Sequence, residues 1–247
     1  MATMTAHWFP TAAYLYVLHL DAAGLAWEYL RRNPDYRNHW RHCRQQQDAG
    51  RRWGLRVLED PTLDARAACP AWFPEPDAFM QLYPDFDPPP NSPSFELWRL
   101  AGNKHLVHDG KRLMLIARQP MWSACFTLAP GLEDGMAYAY AIRAGPRSCE
   151  RCEVLSTQIA QLDAASVTAV ALARPSAAAL QEVHTLQTLD AIQAGASMRQ
   201  AAEAVYGVNA VASEWYADSG LRSRLRRLVR RGQALMTGGY RRLVQLE

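Results

Sequence analysis

The chain has 247 residues, of which 49% are hydrophobic and 21% are charged, and its formal net charge at pH 7 is +3. This length allows two domains with substantial cores, and the composition is that of a globular protein rather than of a disordered or collagen-like chain. Five scattered cysteines argue against a disulfide framework, and no stretch has the length of a membrane span or the pattern of a secretory signal. We therefore expect a cytoplasmic protein.

Two helices are predicted at the front of the chain. The first carries apolar residues in helical register up to Leu30 and stops at Asn33, because the residue before a proline disfavours the helical conformation. The second is polar and runs from Pro34 to Ala49, with aromatic residues on one side. The tryptophans of this region are expected in a core rather than in a ligand cage.

The middle of the chain predicts a small antiparallel sheet. Residues 53–58 alternate as in a strand, whereas 60–93 is rich in proline, aspartate and aromatics, which favours an irregular surface segment, a linker or an anchor for a neighbouring subunit. The pair Asp109-Gly110 is typical of a type I′ hairpin turn. Five short runs have strand character, at residues 97–100, 104–108, 112–117, 123–128 and 136–143. We predict a sheet of three to five strands.

No metal site or catalytic site is predicted. His105 and His108 are three residues apart on a predicted strand, so they point to opposite faces. Cys149 and Cys152, on a helix predicted over 149–162, have redox or zinc spacing but lack a second pair, and a redox switch stays the alternative. The chain contains no P-loop, G-x-S-x-G, H-E-x-x-H or dinucleotide motif. We therefore expect a protein that is not an enzyme and holds no cofactor.

The last seventy residues predict a helical unit. An amphipathic helix covers residues 178–194, and Ser197 and Gln200 have the spacing of a capping box that begins a short helix. Gly207 is expected to end that helix in the left-handed conformation, and Asn209 to cap the next one. Short helices followed by a basic helix are typical of a helix-turn-helix domain.

The basic helix is predicted from Leu221 to Leu235. Its apolar residues fall within an arc of about 120°, so the opposite side is one continuous cationic face. The arginines of that face are Arg222, Arg224, Arg226, Arg227, Arg230 and Arg231. No acidic residue interleaves with them, so they repel one another unless an anion compensates. Arginine forks match phosphate oxygens and guanine edges, which favours nucleic acid over the alternatives of an acidic protein partner or an ordinary surface.

The positive charge is concentrated in the C-terminal part. Residues 177–247 contain nine Lys/Arg against six Asp/Glu, whereas residues 1–176 contain eighteen of each. This distribution favours a C-terminal part that meets DNA and a front part that meets protein.

A set of motifs in the last fifty residues occurs together. It comprises residues 195–202, Tyr206-Gly207, Trp215, 221–224, 226–228 and 239–243. In combination these motifs resemble the DNA-binding domain of the RovC-type transcription factors of type VI secretion, and residues 26–36 resemble the N-terminal domain that accompanies it. The resemblance implies a bacterial transcriptional regulator that binds promoter DNA and activates type VI secretion genes. It also implies a large homo-oligomer, a hexamer.

One spacing leaves the recognition helix open. In the commonest helix-turn-helix pattern a small residue precedes the turn glycine by four positions, but here Ala202 precedes Gly207 by five. The helix expected over 211–217 holds Glu214 and no Lys or Arg, which is unfavourable for approaching phosphates. Electrostatics therefore favours the helix with the arginine face as the main DNA contact.

These observations together predict an α+β chain with two domains. Residues 1–147 would form N-terminal helices and a small antiparallel sheet with an oligomerisation or regulatory role, and residues 148–247 an all-helical, helix-turn-helix-like DNA-binding domain. The predicted partners are double-stranded promoter DNA, on the nucleoid, and further copies of the chain, but no membrane. Beyond the arginine face, DNA contacts are expected from Arg199, Gln200, Arg241 and Arg242. The alternative function is a non-enzymatic adaptor whose arginine face docks an acidic protein.

Overall fold

The computed structural model describes residues 8, 10–46, 48–73, 80–100, 103–108, 113–119, 122–142, 149, 152, 153, 155, 156, 159, 176–216, 219–244 and 246. Over these residues the fold is mixed α+β, with one five-stranded sheet and seven α-helices, and its C-terminal region is helical as predicted. The Asp109-Gly110 turn lies outside the described residues.

The front of the chain is helical. A 3-10 segment, Thr11–His19, precedes α1 (Ala22–Leu30) and α2 (Pro34–Cys43). The predicted stop at Asn33 is confirmed, and its side chain caps α2 by accepting from the backbone N–H groups of Asp35 and Tyr36. Helix α2 ends six residues earlier than predicted, and the chain then turns through Asp48, which has a positive φ of 63°.

The strand predicted over 53–58 is wrong. Residues Arg51–Trp53 form a 3-10 turn, and Leu55 forms only an isolated bridge with Trp72. Trp53 and Leu55 are both buried because the chain turns at Gly54, which has a φ of +78°. The alternation in the sequence therefore comes from a left-handed glycine between two buried residues and not from a strand.

The sheet contains a strand that the sequence did not predict. Its strands are β1 (Met80–Pro84), β2 (Asn103–His108), β3 (Leu113–Gln119), β4 (Trp122–Leu128) and β5 (Tyr138–Ala141), in the order β2-β3-β4-β1-β5. Strand β1 lies inside the segment predicted to be irregular and pairs parallel with β4 and antiparallel with β5. The sheet is therefore mixed, and not purely antiparallel. The strand predicted over 97–100 is also wrong, since Leu97–Arg99 is a 3-10 turn.

Both faces of the sheet carry buried side chains. Leu82, Leu115 and Phe126 form the centre of a cluster on one face. Their neighbours along the strands point the other way, and Met114 and Ile116 pack against Ala71. This alternation is the ordinary consequence of the two-residue period of a strand.

Four helices and a short terminal turn form the C-terminal region. They are α3 (Ala177–Gln193), α4 (Met198–Tyr206), α5 (Val208–Glu214), α6 (Gly220–Ala234) and, after a π-helical segment Leu235–Gly239, α7 (Tyr240–Leu243). The predicted capping box is present, since Gln200 N–H donates to Ser197 Oγ and Ser197 N–H donates to Gln200 Oε1.

The cap predicted for Asn209 is wrong. Gly207 ends α4 and directly precedes α5, so Asn209 lies inside the first turn of α5 and no side chain caps that helix. Gly207 has φ 89° and ψ 150°, which is outside the left-handed helical conformation predicted for it and is a region that glycine alone adopts readily. One glycine therefore separates the two helices without a loop.

Helix α3 lies between the front of the chain and the C-terminal helices. Its Val183, Leu186 and Leu189 belong to the same buried cluster as Trp27 of α1 and Tyr240 of α7. Helices from both sides of the predicted boundary at 147/148 thus share a core. The boundary itself stays a prediction.

Candidate nucleic-acid interface

Helix α6 is amphipathic as predicted. Leu221, Leu225 and Leu228 are buried in a cluster with Ala residues of α3 and α4. At Gly232 the helix approaches α3 so closely that an added Cβ would lie 3.3 Å from Leu189 Cβ and 3.3 Å from Thr185 Cγ2. This packing fixes which side of α6 faces outward, and the arginines lie on that side.

The outward face presents most of its guanidinium groups to solvent. Arg224, Arg226, Arg227 and Arg230 are exposed, and Arg227 donates a hydrogen bond from Nη1 to Ser223 Oγ, at 3.1 Å. The guanidinium of Arg222 is half-buried and lies 5.6 Å from the centre of the Trp215 ring. Cation–π stacking of this kind holds an arginine in place.

The last arginine of the face has an acidic partner from another helix. Arg231 donates to Glu182 Oε1 of α3, and the hydroxyl of Tyr29 in α1 donates to Glu182 Oε2. Burial opposes the charge of Arg231, but the Glu182 carboxylate outweighs it, so the pKa of Arg231 is raised. Helix α6 has no acidic residue of its own among the arginines. The positive charge at its C-terminal end is instead neutralised by Glu182, which the tertiary fold brings next to Arg231.

The end of α4 adjoins the arginine face. Burial raises the pKa of the Tyr206 hydroxyl, and the cations of Arg224 and Arg227 oppose that shift. The Tyr206 ring lies edge-on to His184 of α3, with 6.1 Å between ring centres. An aromatic residue thus lies within electrostatic range of two exposed arginines.

The predicted contacts on α4 have partners within the helix. Arg199 Nε lies 3.1 Å from Glu203 Oε1 in an exposed ion pair, and the Gln200 oxygen accepts from Ser197 N–H at 2.8 Å. Exposed ion pairs are weak, so a phosphate can replace Glu203 at little cost. Among the described residues, the polar partners of the Arg199 and Gln200 side chains lie in α4 and its cap, on Glu203 and Ser197, and not on α6.

Arg241 and Arg242 lie on α7, beside the front of the chain. Arg241 Nη2 donates to the carbonyl oxygen of Arg52, and the neighbouring Tyr240 hydroxyl donates to the carbonyl oxygen of Trp53 at 3.0 Å. The structure thus places α7 next to Arg51 and Arg52, which the sequence analysis did not associate with the site.

The residues considered for metal or redox chemistry are exposed. His105 and His108 are exposed on β2, and Cys149 and Cys152 are exposed free thiols. Over the ranges that the structure describes, no group of three or more His, Cys, Asp or Glu side chains is arranged to hold a metal ion. Within those same ranges no helix has both the length and the apolar character needed to cross a membrane.

Three protein-family models match the chain. Residues 126–245, just under half of the chain, match the RovC DNA-binding domain, described as a T6SS transcription factor DNA-binding domain. Residues 7–57 match a proteobacterial transcriptional regulator-like domain, and residues 77–123 match a domain of unknown function, DUF7011. No curated protein matches the chain. The first two matches confirm the resemblance found in the sequence.

Proposed function

We propose that the chain, which matches the RovC DNA-binding domain and a proteobacterial transcriptional regulator-like domain, is a sequence-specific regulator that activates type VI secretion genes by binding their promoters. The observation that carries the proposal is helix α6. Its leucines are buried, its arginines face outward, and the helix contains no acidic residue. A domain of this family with such a face has the charge and geometry that double-stranded DNA requires.

The exposed arginines in the middle of α6 make the main contacts. Arg224, Arg226, Arg227 and Arg230 bind phosphate oxygens, and their multiple donors also suit guanine O6 and N7 in the major groove. Arg222, held over Trp215, contributes a preoriented cation at the start of the helix. Phosphate contacts position the protein, whereas base contacts provide the sequence preference.

The other predicted residues make secondary contacts. Arg231 and Arg199 reach phosphate only by leaving Glu182 and Glu203, so each contributes less than an exposed arginine of mid-α6. Gln200 supports the start of α4 and offers its amide N–H groups. Arg241 and Arg242 bind the DNA backbone beside α7.

The regulator acts as a homo-oligomer, a hexamer, in the cytoplasm and on the nucleoid when bound to DNA. The support for this part of the proposal is the resemblance to RovC-type factors. The leucines of α6 are buried, so its arginines face outward and stay accessible when several copies bind one promoter.

A mobility-shift titration with fragments from upstream of type VI secretion genes tests the proposal. The unaltered chain should give a sequence-selective shift in excess nonspecific DNA at physiological salt. We call the slope of log binding constant against log salt concentration the salt slope. In the Arg226→Ala/Arg227→Ala variant its magnitude should be smaller by about two units. The matched control is Arg66→Ala/Arg99→Ala, which also removes two exposed arginines but takes them from surface ion pairs with Asp64 and Glu96.

The outcomes separate the alternatives. A shift that bulk competitor abolishes would make the chain a nonspecific binder. No shift at all would favour the adaptor whose arginine face docks an acidic protein. An unchanged salt slope in the folded Arg226→Ala/Arg227→Ala variant would remove α6 from the interface.

A further inference from the structure

A second basic surface lies on the front of the chain. Between residues 33 and 56 the sequence holds six arginines against two aspartates, although residues 1–176 as a whole are electrically balanced. Arg41 and Arg44 lie at the end of α2 and Arg51 and Arg52 on the following 3-10 turn, and all four are exposed. We call these four residues, with Arg241 of α7, the second basic surface.

Aromatic rings, rather than carboxylates, hold three of these arginines. The guanidinium of Arg44 lies 5.4 Å from the Trp40 ring centre, that of Arg52 lies 4.7 Å from Trp53, and that of Arg51 lies 5.4 Å from Phe73. Within the part of the chain that the structure describes, none of Arg41, Arg44, Arg51 and Arg52 forms an ion pair. Stacked guanidinium groups keep their full charge and their donors for an anion.

Neighbouring side chains respond to this excess of positive charge. Burial lowers the pKa of His39, and the cation of Arg52 lowers it further. Burial also lowers the pKa of Arg37, and nearby arginines, among them Arg41, add to that effect. Burial is the larger cause of both shifts, and the contributions of Arg52 and Arg41 have the direction expected beside a group of like charges.

The second basic surface adjoins the end of the α6 region. The cap of α2, Asn33, donates from Nδ2 to the carbonyl oxygen of Met236 at 3.0 Å, just after α6 ends. At the other end of the surface, Arg241 donates to the Arg52 carbonyl. Segment 235–241, which follows α6, thus contacts both the start of α2 and the 3-10 turn that carries Arg51 and Arg52, on a fold that packs α1 against α7.

We propose that Arg41, Arg44, Arg51 and Arg52 bind the sugar-phosphate backbone of the same DNA that α6 holds, so that the regulator-like front of the chain is part of the DNA interface. The inference rests on the proposed function, because it extends that site. Its contacts are to phosphates, so they strengthen binding to every sequence equally and add no base preference.

The test compares two charge-matched variants of the full chain. Arg51→Gln/Arg52→Gln should reduce the magnitude of the slope of log binding constant against log salt by about two units, on promoter and nonspecific DNA alike. Arg66→Gln/Arg99→Gln removes the same net charge from exposed ion pairs elsewhere and should leave the slope unchanged. Thermal unfolding and circular dichroism establish that each variant is folded. If the first variant fails to fold, Arg41→Gln/Arg44→Gln on the exposed end of α2 tests the same surface.

A slope lowered by the second-surface variant alone supports the inference. An unchanged slope in that variant, while Arg226→Ala/Arg227→Ala still weakens binding, overturns this inference and leaves the proposed function standing. Equal loss in both charge-matched variants shows an effect of net charge and also overturns it. Failure of the unaltered chain to bind DNA overturns both proposals.

Discussion

Replacing Arg32 by leucine tests whether the buried ion network positions the helices. Arg32 is 3% exposed and binds Asp190 of α3 in a two-pronged pair, with Nε–Oδ1 2.6 Å and Nη2–Oδ2 2.8 Å. It also donates to the carboxylate and to the carbonyl oxygen of Glu28. The Arg32→Leu variant therefore leaves two buried carboxylates, with side-chain exposures of 0% for Glu28 and 12% for Asp190, without their main cation.

The expected cost is large compared with the stability of a domain. Removing one partner of a buried ion pair typically lowers the free energy of unfolding by about 3–5 kcal/mol, out of a total of about 5–15 kcal/mol. Arg31 also pairs with Glu28 and Tyr14 also donates to Asp190, so we expect a value near the lower end, about 3 kcal/mol. The matched control, Arg66→Leu, loses an exposed pair with Asp64 and a stacking contact with the Tyr16 ring, and should cost about 0–2 kcal/mol.

The cost should shrink as the pH falls. Burial opposes ionisation of Glu28 and Asp190, but Arg32 outweighs it and lowers the pKa of both. The unaltered chain therefore keeps this stabilisation above the ordinary values of 4.5 and 3.8 and loses it as the pH falls through the lowered values. In Arg32→Leu the two carboxyls are buried without that cation, so their pKa values rise and protonation stabilises the folded variant.

Urea unfolding followed by tryptophan fluorescence, at about pH 7 and about pH 4.5, measures both effects. The difference in unfolding free energy between the unaltered chain and Arg32→Leu should be largest at the higher pH. A cost at neutral pH no greater than that of Arg66→Leu would refute the reasoning, as would a difference that grows on acidification.

Three further predictions concern single contacts around α6 and α4. Glu182→Gln should lower the unfolding free energy by about 1–3 kcal/mol. Because it frees Arg231 for phosphate, it should also increase the magnitude of the salt slope of DNA binding by about one unit. A smaller magnitude in the titration would contradict this. Gly232→Val should cost roughly 1–3 kcal/mol in urea unfolding because its side chain overlaps α3, and an unchanged midpoint would show that the helices separate freely. Ser197→Ala should cost about 1 kcal/mol by removing the α4 cap, a loss that thermal unfolding would detect and that Ser197→Asp should largely restore.

Local signals account for what the sequence predicted well. The stop at Asn33, the capping box at Ser197 and the buried stripe of α6 each depend on residues within one or two helical turns. Interactions over such short separations are visible in the sequence because their partners are adjacent in it. The helices at the front and in the C-terminal region, and the outward direction of the α6 arginines, followed from these signals.

What the sequence did not show depends on distant partners. Strand β1 has prolines on both sides and becomes a strand only by pairing with β4, more than forty residues later, and with β5. Glu182 is far from Arg231 in the chain and meets it only after α3 and α6 pack. The charges of residues 1–176 sum to zero, so this sum does not show the second basic surface. The excess of arginine appears when residues 33–56 are counted by themselves.

Helix α3 links α6 to the front of the chain through its carboxylates. Glu182 and Asp190 lie about two helical turns apart. The front of the chain meets both, with Tyr29 of α1 donating to the first and Arg32, just after α1, pairing with the second. Glu182 also holds Arg231 of α6. The orientation of α6 relative to α1 and α2 is therefore set by buried polar contacts of defined geometry rather than by apolar packing alone. A DNA backbone presents phosphates at fixed spacing, so surfaces already held in register lose less entropy on binding than surfaces that must be aligned. Substitutions of α1 that touch no DNA are thus expected to weaken DNA binding by misaligning α6.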